Sequence, residues 1–578
     1  MKISAIGIEK FRSIEKCWIE VNSLCALVGS NNVGKSALLR ALNSFFNIEN
    51  ERVNFLDGTH NHSNRGIPKI DIVLKNIPNK IIYRGLKEKN GILHLRLTFE
   101  SSIKKKEKYQ YKLNNTFYEL SQEALIQIKN DIQFVYIPAN RDYRQTVFEE
   151  KSMLKELLDV YLKKHTEKRN RIKPKIEDAV KYFNNNALVK VSSDLQQCYP
   201  LSRKFELSID YDKNDIDYHI LLRDLCIKIH DGDKIFKLID TGSGIQSLVN
   251  IAIYRLLSKL KHNNFVLGIE EPEVNLHPQS QKELISEFRK NSEEHNLQIF
   301  FTTHSAVIID QLQHSEIISF KRKEDLNRGF KTIVNQIPFD FWDRYQLDYE
   351  QYFQFYQYHN SEFFFSDFVI VVEGKGDYET VNFLLEKANI NPNLEGISIL
   401  MLNGVQDLKY PYYLLKHLQI PYLIVVDKDF FLPYISGNRD NSRTPNGFFK
   451  YKNEYQKNNF ALIKEIINQT NDRNQLLDFL QNNHTSALDI LEKYRVVCMR
   501  YTLEMDLVST KKACKIYYKL FNILDAEQNE SNLLINNQKG IKKPENIMKV
   551  LKGLDNKNLP FALSRIKTIV KKLIKEKG

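Results

Sequence analysis

The segment GSNNVGKS, Gly29 to Ser36, constrains this chain more than any other stretch. It reads G-x-x-x-x-G-K-[ST], the spacing of a phosphate-binding loop. The apolar run Leu24 to Val28 precedes it and suits a buried strand. ALLRALNSFF follows, with apolar residues at helical spacing. Strand, loop and helix in that order is the context that gives the pattern meaning. Gly29 and Gly34 let the backbone curl, past Asn31 and Asn32, until its N–H groups point at phosphate oxygens. The helix N-terminus adds positive partial charge. Lys35 then reaches the outer phosphates and the Ser36 hydroxyl ligates magnesium. The alternative is a Gly-rich turn with no ligand, and the flanking strand and helix weigh against it.

With 578 residues the chain exceeds one hydrophobic core, so two or three domains are expected. Its 84 Lys and Arg against 71 Asp and Glu leave a formal charge of +13. A basic surface suits nucleic acid, and it also suits simple solubility. Six cysteines are scattered with no C-x-x-C, which argues against a zinc ribbon or a disulfide framework and for a reducing, cytoplasmic setting. The start, MKISAIGIEKFRSIEK, is broken by charges and does not read as a signal peptide. No apolar run approaches the ~20 residues of a membrane span.

Along the chain, residues 3 to 28 read as two short strands around FRSIEK. Lys69–Leu74 and Leu93–Phe99 alternate apolar with polar residues, as strands do, and Phe134–Ile137 adds another. Residues 147 to 187 carry Lys and Glu with Leu at helical spacing and read as a projecting helical arm. Its basic segment KKHTEKRNRIKPK fits a solvated face somewhat better than a DNA contact. Cys226–Leu238 reads as a hairpin turning at Asp231-Gly232.

TGSGIQSLVNIAIYRLL, Thr241 to Leu257, opens an apolar helix on a Gly-Ser-Gly turn. Ser243 and Gly244 thus sit at a second helix N-terminus suited to phosphate. Phe265–Ile269 is an apolar strand ending in Glu270-Glu271-Pro272-Glu273. Paired carboxylates at a strand end suit the second half of a nucleotide hydrolase site: Glu270 holds the magnesium shell and Glu271 polarises the attacking water. Leu297–Phe301 is another buried strand, ending in TTHS, where His304 can sense the terminal phosphate. The aromatic stretch Phe339 to Phe365 could stack bases. A helix packed at a domain junction accounts for it more simply.

GSNNVGKS, TGSGIQS, FVLGIEEPEVNLHP and FFTTHS, in that order, resemble the ABC-type ATPase heads of the SMC and RecF-like class, over roughly residues 1 to 335. The resemblance implies ATP and a homo-oligomer, dimer or tetramer, in which the signature loop of one subunit closes on another's nucleotide. GSGIQS departs from LSGGQ and looks like the variant of the OLD (overcoming lysogenization defect) family. No glutamine is assigned to the Q-loop.

Asp367 to Gly374 is an apolar strand ending in Glu373-Gly374, followed by a helix. Ser398–Leu402 ends in Asn403-Gly404, and Tyr422–Val426 ends in Asp427-Lys428-Asp429. Alternating strands and helices therefore place carboxylates at strand carboxyl ends, where open α/β sheets form sites. Clustered carboxylates repel unless a cation neutralises them, and hard oxygen ligands select Mg²⁺ or Mn²⁺. This order looks like a Toprim domain. Joined to the head, it resembles OLD nucleases over nearly the whole chain, a family that includes the Gabija nuclease subunit and retron-associated effectors.

The resemblance implies a metal-dependent DNA endonuclease or nickase, regulated by its ATPase head and active in antiphage defence. By position, Glu373 matches the first Toprim glutamate, Asp377 a second acid, Gly404 the close-approach glycine, and Asp427 and Asp429 the D-x-D ligands. Glu504 and Asp506 match late acids. Lys543, or alternatively Lys542, matches the lysine that stabilises charge at the scissile phosphate. Relatives act alone, beside a helicase, or beside a reverse transcriptase with structured RNA. The expected fold class is α/β: an ABC-type (SMC/RecF-like) ATPase domain at 1–340 with a helical insertion at about 147–200, a junction at 341–365, and a Toprim domain at 366–578 with a C-terminal helical part. The alternative is a non-nucleolytic ATPase acting as a DNA-binding or assembly scaffold. A primase or topoisomerase lacks support, since no zinc motif appears and no tyrosine stands out.

Overall fold

The computed structural model describes residues 1–62, 66–99, 106–139, 143–198, 226–261, 264–274, 276–294, 297–325, 329–347 and 360–577. The chain divides into two compact units, Met1–Val334 and Asn335–Gly578. The division thus precedes the junction expected at 341–365.

Among the described residues, fourteen strands belong to the first unit: β1 (Lys2–Phe11), β2 (Ile14–Glu20), β3 (Leu24–Val28), β4 (Lys69–Lys75), β5 (Leu93–Phe99), β6 (Glu107–Leu113), β7 (Thr116–Glu119), β8 (Ile132–Ile137), β9 (Lys228–Asp231), β10 (Lys234–Lys237), β11 (Asn264–Glu270), β12 (Leu297–Thr303), β13 (Ile317–Asp325) and β14 (Gly329–Asn335, whose last residue crosses the division). Twelve form one sheet in the order β7-β6-β5-β4-β1-β2-β14-β13-β3-β12-β11-β8. Strands β8, β11, β12, β3 and β13 pair in parallel. Strands β7, β6, β5, β4, β1 and β2 form an antiparallel wing. The burial patterns match: β3 and β12 are buried at every residue, whereas β5 alternates.

The helix Lys35–Phe46 begins where the phosphate loop ends. Leu38, Leu39, Leu42 and Phe45 are fully buried. Each contributes about 1.5–3 kcal/mol by leaving water. Phe45 meets Tyr109 edge-on and Phe46 stacks on Phe134. Gly268 in β11 lets Phe134 pass, since a Cβ there would lie 2.6 Å from its ring.

The expected helical insertion is seen as helices Tyr143–Lys164, Thr166–Phe183 and Val189–Cys198. The basic stretch from Lys163 to Lys175 lies mostly exposed, between buried Leu162 and Ile176. The hairpin β9–β10 pairs Asp231 with Lys234, so its turn residues are Gly232 and Asp233, one position later than expected. Gly232 takes the left-handed φ of +58° that this turn demands.

The second unit holds β15 (Phe368–Val372), β16 (Ile397–Met401), β17 (Tyr422–Val426) and β18 (Val496–Cys498). They form a parallel sheet ordered β16-β15-β17-β18. The order reverses between β15 and β17, which opens a crevice at their carboxyl ends. Of the aromatic stretch, the helix Phe341–Tyr345 packs on the helix Lys409–His417: Trp342 stacks on Tyr410 and Tyr345 on Tyr413. Residues 348–359 of that stretch lie outside the described residues. No described helix is long and apolar enough to cross a membrane.

Candidate functional site

The phosphate loop curls as its glycines require. Gly29 has φ +154°, and a Cβ there would lie 2.2 Å from the Phe320 carbonyl oxygen. Gly34 has φ +100°, and a Cβ would meet Ser13 Oγ and Thr332 Oγ1 at 2.6 Å. Thr332 Oγ1 also donates to the Val33 carbonyl at 2.7 Å, so β14 braces the loop. Asn32 is left-handed as well, at φ +60°.

Lys35 is buried, and its Nζ donates to the carbonyls of Gly29 at 3.0 Å and Ser30 at 2.8 Å. Burial lowers its ammonium to about 8 against the opposing pull of Glu271, Glu273 and Glu270. A cavity of about 360 Å³ opens here, lined by Arg12, Ser13, Asn31, Asn32, Gly34, Lys35, Ser36, Ala37, Glu271, Thr302 and His304.

Glu271 follows β11 in a left-handed conformation, φ +44°, and its N–H donates to Thr302 Oγ1 at 3.0 Å. A non-glycine residue in this region is held there by its surroundings. His304 Nε2 lies 3.9 Å from Glu271 Oε1. Burial, and then Lys35, lower the His304 imidazole, favouring its neutral form. Buried Glu273 fixes this strand end by accepting from Thr303 Oγ1 at 2.7 Å and from the His304 N–H at 2.9 Å. Glu270 does not line the cavity. Its Oε2 accepts from the Ala139 N–H at 3.3 Å. Ser243 and Gly244 open the helix Ser243–Lys261.

Sequence reasoning missed Arg12, which reaches this cavity from the β1–β2 turn with φ +51°. Its N–H donates to the His60 carbonyl at 3.1 Å, and its own carbonyl meets His62 Nδ1 at 2.7 Å. The charged FRSIEK break between two strands was the available signal.

In the second unit, Glu373 follows β15, and Asp427 and Asp429 follow β17. Oxygens of all three lie within 4.8 Å of one another. The Asp427 N–H donates to Glu373 Oε2 at 3.3 Å, and Asp427 Oδ1 accepts from the Leu503 N–H at 3.1 Å. Gly404, φ +120°, brings its N–H to the Glu373 carbonyl at 3.2 Å.

The electrostatics of the cluster are unfavourable without a cation. Burial, then Asp429 and Asp377, push the Glu373 carboxyl up to about 7. Burial and Glu504 push Asp377 up to about 7. Asp427 lies well above the usual carboxylate range, first through burial and then through its four acidic neighbours. Asp429 is raised by burial against the opposing hydrogen bond from Tyr434. Buried Asp429 Oδ1 has no hydrogen-bond partner among the described residues. An orphaned carboxylate oxygen beside two more carboxylates fits an oxygen-liganded divalent cation.

Two expectations need correction. Asp506 does not face this cluster: its oxygens accept from the Arg500 N–H at 2.8 Å and the Tyr501 N–H at 2.9 Å. Glu504 and Asp506 share the helix Leu503–Val508, and residues two apart on a helix point to different sides. The lysine that reaches the acids is Lys542, with Nζ 2.8 Å from Glu504 Oε1. Lys543 instead occupies the position preceding the helix Pro544–Gly553.

The family described as AAA ATPase domain matches residues 1–136 and 100–309, together more than half of the chain. The family described as overcoming lysogenization defect protein-like, TOPRIM domain, matches residues 364–429. The chain is 26% identical over 190 residues to the OLD nuclease of Thermus scotoductus, covering 33% of this chain and 36% of that one. It is 28% identical over 211 residues to endonuclease GajA of Bacillus cereus, covering 32% of this chain and 30% of the other. The match thus spans about a third of the length of each relative. Among solved structures, an SMC head bound to the C-winged helix domain of ScpA matches 58% of this chain and 99% of that chain, at 13% identity and a TM-score of 0.37. The chain belongs to the AAA ATPase-domain family and carries a TOPRIM domain of the overcoming-lysogenization-defect type after its ATPase head.

Proposed function

We propose that this protein is an ATP-binding, divalent-metal-dependent DNA endonuclease or nickase of the OLD type, an effector of antiphage defence whose ATPase head regulates cutting. The observation that carries the reading is the grouping of Glu373, Asp427 and Asp429 within 4.8 Å at the crevice between β15 and β17. Those three residues would hold Mg²⁺ or Mn²⁺, with Asp377 and Glu504 adding negative charge around them. A bound cation there supplies a water nucleophile and neutralises charge on the scissile phosphate. Lys542, paired with Glu504, is placed to offset the charge that develops on that phosphate. In the head, Arg12, Lys35 and Ser36 take the phosphates, Glu271 orients the attacking water, and His304 reads the terminal phosphate.

The reading includes a cytoplasmic homo-oligomer whose subunits share signature loops, with Ser243 and Gly244 contributed to a neighbour's nucleotide. It would act alone, with a helicase encoded nearby, or with a reverse transcriptase and its structured RNA. The test is plasmid cleavage with Mg²⁺ or Mn²⁺, with and without ATP, beside Glu373→Ala and Asp427→Ala. Nicking or linearisation that both substitutions abolish is expected. Equal cleavage by the variants would refute the assignment of the acids.

A further inference from the structure

Immediately after the metal-site acids, the chain makes an excursion that the chemistry above does not use. From Pro433 to Lys452 it runs out and back: the Ile435 N–H donates to the Lys450 carbonyl and the Lys452 N–H to the Pro433 carbonyl, both at 2.9 Å. Tyr434 thereby pairs with Tyr451, and Arg443 with Phe449. At the return, Gly447 takes φ +90°. Backbone pairing makes this a built loop rather than a loose connection.

Three aromatic rings of the loop cluster beside the acids: Tyr434 and Phe449 keep exposed surface, and Tyr451 is buried beneath them. The Tyr434 ring centre lies 4.7 Å from that of Phe449, with the planes tilted by 59°, and 5.1 Å from that of Tyr451, tilted by 32°, so neither ring lies flat against it. The Tyr434 hydroxyl donates to Asp429 Oδ2 at 3.1 Å, so the ring is tied to the metal site. Yet the residue stays 37% exposed.

Around the rings stand cations. The Arg443 guanidinium lies 4.2 Å over the Phe449 ring, and its charge is felt by Tyr434 and Glu504. Arg439 is exposed and donates to Ser531 Oγ at 3.3 Å, while Lys450 donates to the Asp440 carbonyl at 3.0 Å. Among the described residues, no ion pair with a carboxylate engages Arg439, Arg443 or Lys450. A site holding several carboxylates repels a phosphodiester until cations offset them, so a cationic rim is what an anionic strand requires here.

We propose that the loop Pro433–Lys452 seats a single, unstacked DNA strand. The base beside the scissile phosphate stacks on Tyr434, and Arg439, Arg443 and Lys450 take flanking phosphates. Every base has a face that stacks on an aromatic ring, and that face is inaccessible in an intact duplex. The loop therefore selects single-stranded or locally opened DNA, and it tolerates any sequence. This inference rests on the nuclease reading for the cutting step alone; strand binding by the loop does not require it.

Binding and cutting are tested separately. A labelled oligothymidine and a duplex of equal length are titrated by anisotropy in EDTA, with full-length protein. Tyr434→Ala is expected to weaken single-strand binding about tenfold and leave duplex binding nearly unchanged. Tyr434→Phe keeps the ring and is expected to keep single-strand affinity, while raising the metal concentration needed for half-maximal cleavage. Arg439→Ala with Lys450→Ala is expected to lower the salt slope of single-strand binding by roughly 0.7 for each phosphate no longer neutralised. The proposal is overturned if folded Tyr434→Ala binds the single strand as wild type does, or if strand and duplex weaken equally. Tyr434-dependent strand binding without cleavage would support the loop and count against the nuclease. Cleavage with Tyr434-independent strand binding would do the reverse.

Discussion

Replacing Glu373 by Gln should make the metal-free protein more stable. The Glu373 carboxyl, at about 7, lies well above its ordinary 4.5, because burial and the charges of Asp429 and Asp377 oppose its ionisation. Below pH 4.5 the folded and unfolded chains both hold the proton, and the group contributes no difference. As pH rises from 4.5 to 7 the unfolded chain releases its proton first, and stability falls by about 1.4 kcal/mol per pH unit. Above pH 7 the full penalty stands, about 3 kcal/mol over that 2.5-unit window. Gln is isosteric and can still accept from the Asp427 N–H, so it removes the charge and keeps the hydrogen bond. In EDTA at pH 8 the second unit of the variant should melt roughly 6–12 °C above wild type, a gap that closes toward pH 5. Added Mg²⁺ or Mn²⁺ should stabilise wild type and leave the variant nearly unmoved. A variant that melts at or below wild type at pH 8 would refute the claim that these carboxylates are held in mutual repulsion.

Other outcomes follow from the same geometry. Lys35→Ala should weaken ATP binding roughly 10- to 100-fold, the loss expected for charge-assisted bonds to phosphate, read by calorimetry. Glu271→Gln should slow ATP hydrolysis roughly 10²- to 10⁴-fold and hold ATP, and size exclusion with ATP should show an oligomer; a monomer would remove the motive for shared signature loops. Glu51 is fully buried: burial pushes its carboxyl up, but hydrogen bonds from His60, Asn43 and Arg40 outweigh this and hold it at about 2. That depression contributes about 3 kcal/mol above pH 4.5, and the contribution is lost as pH falls toward 2. Wild type should therefore exceed Glu51→Gln in denaturant midpoint at pH 7, by a gap that narrows through this window.

Local sequence determined much of this protein by itself. GSNNVGKS announced its loop because phosphate cradling demands glycine where φ is positive, and Gly29 and Gly34 are placed so. FVIVV and YLIVV announced buried parallel strands because both faces of such a strand leave water, and the acids after them then had to fall at strand ends. Other features were decided only in three dimensions. Whether Lys542 or Lys543 met the acids depended on which side of a helix start each faced, and neighbouring residues look alike until that start is fixed. Asp506 resembled Glu504 in sequence and parted from it by the rotation of a helix. The strand order β16-β15-β17-β18, which opens the crevice at Glu373 and Asp427, follows from packing between distant segments. The part-exposed rings of Tyr434 and Phe449 stand 15 positions apart in the sequence, with no periodicity that links them. Only backbone pairing from Pro433 to Lys452 brought them beside Asp429, because side-chain proximity across a fold is set by the tertiary path and not by composition.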